Sequence, residues 1–215
     1  MSDTTELTPE LLLRAYCSGV FPMAESADTD EVFWVDPEAR GIIPLNGLHV
    51  SKSLRKRLLS GGYNFTADAC FERVLDACAD REETWINASI KTQYTELHRL
   101  GFAHSIEVWR DEDLIGGLYG VSISGAFFGE SMFSAQTDGS KLALIALIAR
   151  LNFGGFQLLD TQFINDHLIT LGGVEIPRRK FRKMLKDALL VNADFDALSD
   201  DATVQELLQL STQTS

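Results

Sequence analysis

A single carboxylate within an aromatic run is the most unusual chemical feature of this sequence. Glu130 lies in the stretch Ala-Phe-Phe-Gly-Glu-Ser-Met-Phe-Ser at positions 126–134, where an ionised group without partners would cost free energy. Strand-like alternation puts Glu130 and Met132 on one face. It puts Phe127 and Phe133 on the opposite face. The carboxylate either meets a cation or hydroxyl groups at a pocket wall, or is a sheet-edge glutamate held by a lysine.

A second polar group follows the apolar strand predicted from residue 156. Asp160 and Gln162 share a face if the strand continues through Gln162, so a carboxylate and an amide would point the same way. Asn165 and His167 come shortly afterwards. Asp160 alone could be an ordinary cap or loop carboxylate. The pair at a strand end is a candidate binding or catalytic group.

Length and composition indicate a globular protein. The chain has 215 residues, of which 45% are hydrophobic, enough for one good core or two small ones. Its first ten residues show no signal-peptide pattern, and no apolar run approaches the roughly 20 residues that span a bilayer. A cytoplasmic location is therefore expected. The three cysteines and four histidines lack metal-ligand spacing, which predicts neither a metal nor another cofactor.

The charge distribution matters more than the net charge of −12. Such a sum disfavours a nucleic-acid partner, because Lys and Arg drive phosphate binding. Much of the acid, however, lies at the two ends, and two basic clusters lie between them. Each cluster could be a solvated helix face or a local phosphate-binding surface. The clusters are Lys52, Arg55, Lys56 and Arg57, and Arg178, Arg179, Lys180, Arg182 and Lys183.

The order of predicted elements favours an α+β fold. Thr8 and Ser51 are predicted helix N-caps, residues 105–124 a hairpin, and residues 142–151 a helix that is apolar nearly all round. The order of a strand, a buried helix, another strand and a terminal helix resembles that of the mixed-sheet fold of the GCN5-related N-acetyltransferases. We expect a small N-terminal lobe (1–62), an acyltransferase-like domain (63–190) and an acidic, partly disordered tail (191–215).

Several collinear segments resemble one family, the bacterial leucyl/phenylalanyl-tRNA–protein transferases. The most specific are Gly-Glu-Ser-Met-Phe-Ser at 129–134 and Leu-Asp-Thr-Gln at 159–162. The sequence departs from the usual pattern at Val35, where a second tryptophan often follows Trp34, and at Thr161, where cysteine is common. Further matching segments lie at 19–23, 40–45, 48–54, 81–86, 104–109, 117–121 and 167–172.

The resemblance implies a tRNA-dependent aminoacyl transfer without acyl-CoA or a metal. Leucine or phenylalanine, and less readily methionine, would pass from the 3′ end of tRNA to the α-amine of a protein beginning with Arg or Lys. This transfer marks the acceptor for degradation in the N-end rule pathway. The family is described as a small N-terminal lobe followed by a GCN5-like domain, and we expect a monomer.

The donor site implied by this chemistry is apolar and aromatic. Asn165 is a further candidate for substrate binding. Trp85 and Trp34 are candidates for stacking on the terminal adenine, although Trp34 is equally well explained as a core or lobe-interface residue. The two basic clusters would follow the acceptor-stem phosphates. The apolar aminoacyl pocket would be lined by Phe127, Met132, Phe133 and Leu159.

The implied catalytic residues are the three polar side chains singled out above. Glu130 would bind the cationic side chain or the α-amine of the acceptor. Asp160 would orient the attacking amine and accept its proton, and Gln162 would hold the ester carbonyl or the oxyanion. His167 is expected to be structural. An N-terminal amine has a pKa near 7.7–8.0, so positioning rather than a strong base would limit the reaction.

Two other functions would use parts of the same sequence. An acyl-CoA-dependent N-acyltransferase would need a glycine-rich turn for pyrophosphate, whereas residues 135–140 contain one glycine and an aspartate, Asp138. A non-catalytic adaptor could bind basic protein N-termini through Glu130 and Asp160. It would not need a tRNA-binding surface, so Trp85 and the basic clusters disfavour it.

Overall fold

The structure is a computed structural model that describes residues 7–212, apart from positions 28, 30, 82 and 83. Parts of the expected acidic N-terminal segment, of the 81–86 segment and of the C-terminal end therefore lie outside the described residues. The strands are β1 (Phe21–Ala24), β2 (Val32–Val35), β3 (Ala39–Ile42), β4 (Asn64–Ala67), β5 (Ala103–Arg110), β6 (Asp113–Ile123), β7 (Ala126–Ser134), β8 (Leu158–Gln162) and β9 (Val174–Pro177).

The helices surround these strands. They are α1 (Pro9–Cys17), α2 (Lys52–Leu59), α3 (Phe71–Ala79), α4 (Ala88–Arg99), α5 (Gly139–Phe153), α6 (Asp166–Thr170), α7 (Arg178–Ala188) and α8 (Val204–Ser211), with a 3-10 turn at Phe195–Ala197.

A mixed seven-stranded sheet forms the centre of the described structure. Its strand order is β4-β5-β6-β7-β8-β3-β9, and β1 pairs with β2 in a separate hairpin. β7 and β8 are parallel and are connected through α5, whereas the other neighbours are antiparallel. The predicted α+β class is confirmed.

Two predicted helix starts are confirmed. The Thr8 hydroxyl accepts a hydrogen bond from the Leu11 amide at 3.2 Å, with Pro9 at the first helical position of α1. The Ser51 hydroxyl accepts one from the Leu54 amide at 3.2 Å at the start of α2. Local sequence therefore sets where these helices begin.

Helix α5 is buried on all sides. Its residues from Leu142 to Leu151 are at most 6% exposed, because the sheet covers one face and α8 covers another. The nearly uniform apolar composition predicted this sandwiched position. No helix in the described part of the chain is long and apolar enough to cross a membrane.

The expected N-terminal lobe contributes a strand to the main sheet. β3 lies between β8 and β9 and pairs antiparallel with both. Gly41 lies opposite Gln162, and a side chain at Gly41 would meet the Phe163 carbonyl carbon and oxygen at 2.6 Å. This close approach requires glycine. Residues 1–62 and 63–190 thus share one sheet.

The acidic tail is ordered through Thr212, in contrast to the partial disorder expected from its composition. Phe195, Leu207 and Leu208 are buried against α5. An ion pair joins the Arg150 guanidinium to Asp200. Apolar residues spaced along the tail therefore outweigh its overall acidity.

Strands β7 and β8 separate after three paired positions. Their parallel pairing runs from Ala126 opposite Leu158 to Phe128 opposite Asp160. Beyond that point β7 continues with β6, where Gly129 and Ser131 pair with the consecutive residues Gly120 and Tyr119. Glu130 is the extra residue of this β-bulge. The divergence opens a gap beside Glu130.

We predict that the tail is an integral part of the fold. Leu207→Ala removes a side chain that is 4% exposed and should lower the free energy of unfolding by about 2–5 kcal/mol. Gln209→Ala, at an exposed position on the same helix, is the control and should change it by less than about 0.5 kcal/mol. Urea denaturation followed by circular dichroism measures both, and equal midpoints would contradict the prediction.

Candidate active site

A cavity of about 450 Å³ occupies the gap between the diverging strands. Polar groups lie on its wall beside apolar side chains from several elements. The polar lining residues include Arg81, Glu130, Ser131, Ser140, Thr161, Gln162, Asn165 and His167, and the apolar ones include Phe21, Pro22, Met23, Trp85, Leu118, Met132, Leu144, Leu147, Leu159, Phe163 and Leu168.

A buried ion pair stands behind this wall. Arg40 is 1% exposed and Asp160 is 0% exposed. The guanidinium donates two hydrogen bonds to the carboxylate, at 2.8 Å from Nε and 2.6 Å from Nη2. Burial raises the pKa of Asp160, and the Arg40 hydrogen bonds oppose that rise. Because arginine stays charged, the carboxylate that faces it is the ionised form.

Asp160 in turn orients Gln162. The Gln162 backbone amide donates to Asp160 Oδ1 at 3.0 Å, and the side-chain Nε2 donates to Oδ2 at 3.4 Å. An ionised carboxylate can only accept, so the NH2 side of the amide must face it. The Gln162 side-chain oxygen and the second N–H remain available to a molecule in the cavity.

The backbone at Gln162 is strained. Its φ is +58°, and the Phe163 amide donates to the Thr161 carbonyl at 2.6 Å across it, which closes a γ-turn. A non-glycine residue in this region costs of order 1–3 kcal/mol. The hydrogen bonds to Asp160 stabilise this strained turn. They thereby hold the Gln162 side chain at the cavity wall.

Two tyrosines hold the Glu130 carboxylate. Tyr16 donates to Oε1 at 2.7 Å and Tyr94 donates to Oε2 at 3.1 Å. Burial raises the pKa of Glu130 to about 7, with a smaller rise from Asp160, and both tyrosine hydrogen bonds oppose it. Burial and the nearby Glu130 raise the tyrosine pKa values well above their usual value, so both phenols remain donors.

Leucine side chains form the apolar part of the cavity. Leu144 and Leu147 reach it from α5, Leu159 from β8 and Leu168 from α6. Aromatic rings occur elsewhere on the wall. Phe21 and Phe163 meet edge to face at 5.6 Å, and Phe163 is 47% exposed. The cavity therefore combines an apolar lining with partly exposed aromatic faces.

His167 lies on the cavity wall although it was expected to be structural. Its Nε2 is buried and has no hydrogen-bond partner among the described residues. Burial and the positive charge of Lys141 lower the pKa of the imidazole. The lowered pKa favours the neutral form of the ring.

The cavity is suited to bind a basic group of one ligand next to an apolar group of another. Glu130 can bind a cation when ionised, and its pKa of about 7 lets it exchange a proton near neutral pH. Gln162 offers a fixed amide on the same wall. The apolar lining can hold an uncharged side chain. None of the lining residues named here is an activated nucleophile.

Comparison with known proteins relates this site to one family. The model of the leucyl/phenylalanyl-tRNA protein transferase family matches residues 42–186, and the model of its N-terminal domain matches residues 5–38. The chain belongs to this family. Membership of the leucyl/phenylalanyl-tRNA protein transferase family identifies the chain as an aminoacyltransferase and confirms the resemblance noted in the sequence.

Individual relatives cover nearly the whole chain. The chain is 55% identical to the leucyl/phenylalanyl-tRNA–protein transferase of Jannaschia sp. (strain CCS1), covering 91% of this chain and 92% of that protein. It is 56% identical to that of Ruegeria sp. (strain TM1040), covering 97% and 99%. A solved structure of L-PGS from Bacillus licheniformis is 15% identical over 82% of this chain and 62% of that chain, with a TM-score of 0.39.

The cavity brings together most of the candidate residues. Glu130 and Gln162 lie on its wall, from β7 and β8. Trp85 is half-buried, and the Asn165 side chain also caps α6 by accepting from the Leu168 amide at 2.9 Å. The lining contains six of the candidates: Glu130, Gln162, Met132, Leu159, Trp85 and Asn165.

Four candidates lie elsewhere. Phe127 is 0% exposed and lies in the hydrophobic cluster that contains α5. Phe133 packs against a different hydrophobic cluster and lines a separate groove. The two side chains differ in this way because the bulge interrupts the predicted alternation. Trp34 is 40% exposed on β2, opposite Pro22. Asp160 lies behind Gln162, where Arg40 occupies both of its oxygens.

Several site residues were not singled out from the sequence. Tyr16, Tyr94 and Leu147 have helical spacing that predicts burial, but that spacing does not reveal a shared site. Arg40 and Phe21 fall in segments that carried the family resemblance, which was the available signal. Their roles depend on contacts between distant parts of the chain, such as Arg40 with Asp160.

The basic clusters lie outside the cavity lining and differ in how many charges are paired. Arg57 pairs with Asp138 at 3.1 Å. Arg178 and Arg182 both contact Asp36, at 3.4 and 2.6 Å. The exposed members of the two sets are Lys52, Arg55 and Lys56 on α2, and Arg179, Lys180, Arg182 and Lys183 on α7.

We predict that Glu130 makes folding stability depend on pH. Its pKa is raised in the fold, so its ionisation lowers stability as pH rises from about 4.5 through about 7. Glu130→Gln removes this ionisation and should stabilise the protein relative to the parent by roughly 1–3 kcal/mol at pH 8, with a smaller difference at pH 5.

Urea denaturation at several pH values measures this effect. Glu72→Gln, at an exposed position on α3, is the matched control and should leave the pH profile unchanged. The same difference between Glu130→Gln and the parent at pH 5 and pH 8 would refute the raised pKa.

Proposed function

We propose that this chain transfers leucine or phenylalanine, and less readily methionine, from aminoacyl-tRNA to the α-amine of proteins beginning with Arg or Lys. The product carries an apolar N-terminal residue that marks it for degradation in the N-end rule pathway. We further propose that the enzyme is a cytoplasmic monomer with the GCN5-related acyltransferase architecture. The observation that supports the transfer is a cation-binding carboxylate, Glu130, and a fixed amide, Gln162, on the wall of a largely apolar cavity.

The donor aminoacyl group occupies the leucine-lined part of the cavity. Met132, Leu144 and Leu159 surround it, and unbranched or γ-branched apolar side chains fit such a lining. Discrimination per methylene is on the order of 1–3 kcal/mol, which accounts for a preference shared among leucine, phenylalanine and methionine. Trp85 and Phe163 offer faces for stacking of the terminal adenine.

The acceptor N-terminus binds next to the polar wall. Ionised Glu130 binds the cationic side chain of the first residue, which stabilises the carboxylate and offsets its burial. The Gln162 side-chain oxygen accepts a hydrogen bond from the α-amine. This contact directs the nitrogen lone pair at the ester carbonyl carbon, so geometry rather than strong base catalysis promotes attack.

The transfer consists of one substitution at the ester carbonyl. The amine nitrogen forms the new C–N bond, and the ester C–O bond to the ribose breaks. The amine proton passes to the departing ribose oxygen, which leaves as a hydroxyl. The second N–H of Gln162 is suited to stabilise the oxyanion that forms on the carbonyl. No covalent enzyme intermediate is required.

Asp160 acts as a positioning residue. Arg40 and Gln162 use its oxygens, so the direct contact with the amine expected from the sequence is replaced by one through Gln162. The ionised carboxylate fixes the direction of the Gln162 amide. Asp160 thereby sets which atoms of Gln162 meet the substrates.

Charges at the start of α5 disfavour acyl-CoA as the donor. Asp138 precedes the first turn of α5, with φ of +69° and no side-chain cap hydrogen bond. Its carboxylate pairs with Lys141 at 2.9 Å and Arg57 at 3.1 Å. Lys141 and Arg57 are therefore already paired with Asp138 and are not free to bind a pyrophosphate at this helix end. A non-catalytic adaptor would have no use for the leucine-lined cavity beside Glu130.

We predict that Gln162→Ala lowers kcat by about 10²–10³-fold, because it removes a fixed hydrogen-bonding group at the reacting atoms. Gln157→Ala, at an exposed position before β8, is the control and should retain parent activity. The assay uses leucine-charged tRNA and matched peptides beginning with Arg or Asp. Failure of the parent protein to extend the Arg peptide would refute the proposed function.

We predict that the α2 cluster binds tRNA phosphates. Replacing Lys52, Arg55 and Lys56 with alanine should raise the KM for charged tRNA while kcat is retained. The slope of log KM against log salt concentration should fall by about 1 for each phosphate contact that is lost. A matched triple variant, in which Arg179, Lys180 and Lys183 on α7 are replaced with alanine, tests the second basic cluster in the same assay. An unchanged KM and salt dependence in the α2 variant would remove that cluster from the proposed tRNA-binding surface.

A further inference from the structure

An open groove adjoins the active-site cavity. It has a volume of about 910 Å³ and lies between α3 and the ends of β6 and β7. The cavity and the groove share two lining residues, Arg81 and Met132. The Arg81 guanidinium donates to the Met132 carbonyl at this junction. A chain that leaves the cavity past these residues enters the groove.

The groove carries a negative charge. Asp76, Asp80, Glu112 and Asp113 contribute four carboxylates to its lining. Only Asp76 forms an ion pair in the part of the chain that the structure describes, with Lys91 at 2.8 Å. Opposing cations within the lining are limited to Arg81, held at Met132, and Arg73, whose guanidinium lies 5.3 Å from the Trp109 ring centroid.

The position of the groove fits one of the two substrates. Donor tRNA is polyanionic and would be repelled there. The acceptor is a polypeptide whose first residue is placed at Glu130 by the proposed function, on which this inference rests. A strand advances about 3.3 Å per residue, so an extended acceptor that follows β7 from Glu130 brings its third residue level with Met132. Its third to fifth residues then lie along Met132–Ser134.

We propose that this groove binds the third to fifth residues of the acceptor protein and selects for positive charge there. Carboxylates at Asp80, Glu112 and Asp113 attract lysine or arginine at these positions and repel aspartate or glutamate. The groove thus extends acceptor recognition beyond the terminal residue. Exposed charge pairs are individually weak, worth up to about a fivefold effect each, so selection depends on several pairs acting together.

The test compares acceptor peptides that share an N-terminal Arg and an identical second residue. Positions 3–5 carry three lysines, three glutamines or three glutamates, and a fourth peptide carries the lysines at positions 7–9. With saturating leucine-charged tRNA, the KM for the 3–5 lysine peptide should be about threefold to tenfold below that for the glutamine peptide, and the glutamate peptide should be correspondingly weaker. High salt should reduce these differences.

Two double variants separate the groove from net charge. Glu112→Gln with Asp113→Asn should bring the lysine and glutamine peptides close together in KM. Asp187→Asn with Asp201→Asn removes two exposed charges outside the groove and should keep the parent ratio. Anisotropy of labelled peptides without tRNA gives the same comparison independently of transfer.

The outcomes distinguish this proposal from the proposed function. If no Arg peptide is extended but the lysine peptide still binds more tightly in a Glu112- and Asp113-dependent manner, the proposed function fails and the groove stands. If the peptides are extended with equal KM, or if the lysines act equally well at positions 7–9, the groove proposal is overturned while the transferase function stands.

Discussion

The buried ion pair between Arg40 and Asp160 links the fold to the site. Arg40 also donates to the Gly19 carbonyl at 2.9 Å and lies between the rings of Phe21 and Phe181, at 4.6 and 4.3 Å. One side chain thus joins the end of α1, strands β3 and β8, and α7. Buried ion pairs add little net stability, but losing one partner costs about 3–5 kcal/mol. The pair therefore specifies an arrangement, and that arrangement fixes Gln162.

The two buried carboxylates of the site lie in different environments because their partners differ. Asp160 faces a guanidinium and stays ionised, whereas Glu130 faces two neutral phenols and has a pKa of about 7. Hydrogen bonds from Tyr16 and Tyr94 stabilise the ionised form of Glu130 without neutralising its charge. Glu130 thus remains available to an external cation. These separate environments support the proposed roles, in which Asp160 positions Gln162 and Glu130 binds the acceptor.

Local patterns predicted the helices and the central hairpin, and they singled out Glu130, Asp160 and Gln162 as candidate site residues. They did not predict that β3 lies between β8 and β9, because sheet order depends on contacts between residues far apart in sequence. Alternation failed at Glu130, where a bulge adds one residue to β7. The acidic tail looked disordered by composition, yet a few apolar residues such as Leu207 suffice to dock α8 on α5.

The divergence of β7 and β8 explains how the cavity forms beside Glu130 and Gln162. Their pairing ends at Phe128 and Asp160, so the residues that follow leave a gap instead of a continuous sheet. Glu130 and Gln162 come directly after this point, one on each strand. Leucines from α5 line the same gap because α5 connects the two strands and packs beneath them. An apolar lining and a polar wall, which the proposed function assigns to the donor and the acceptor, therefore arise from a single interruption in strand pairing.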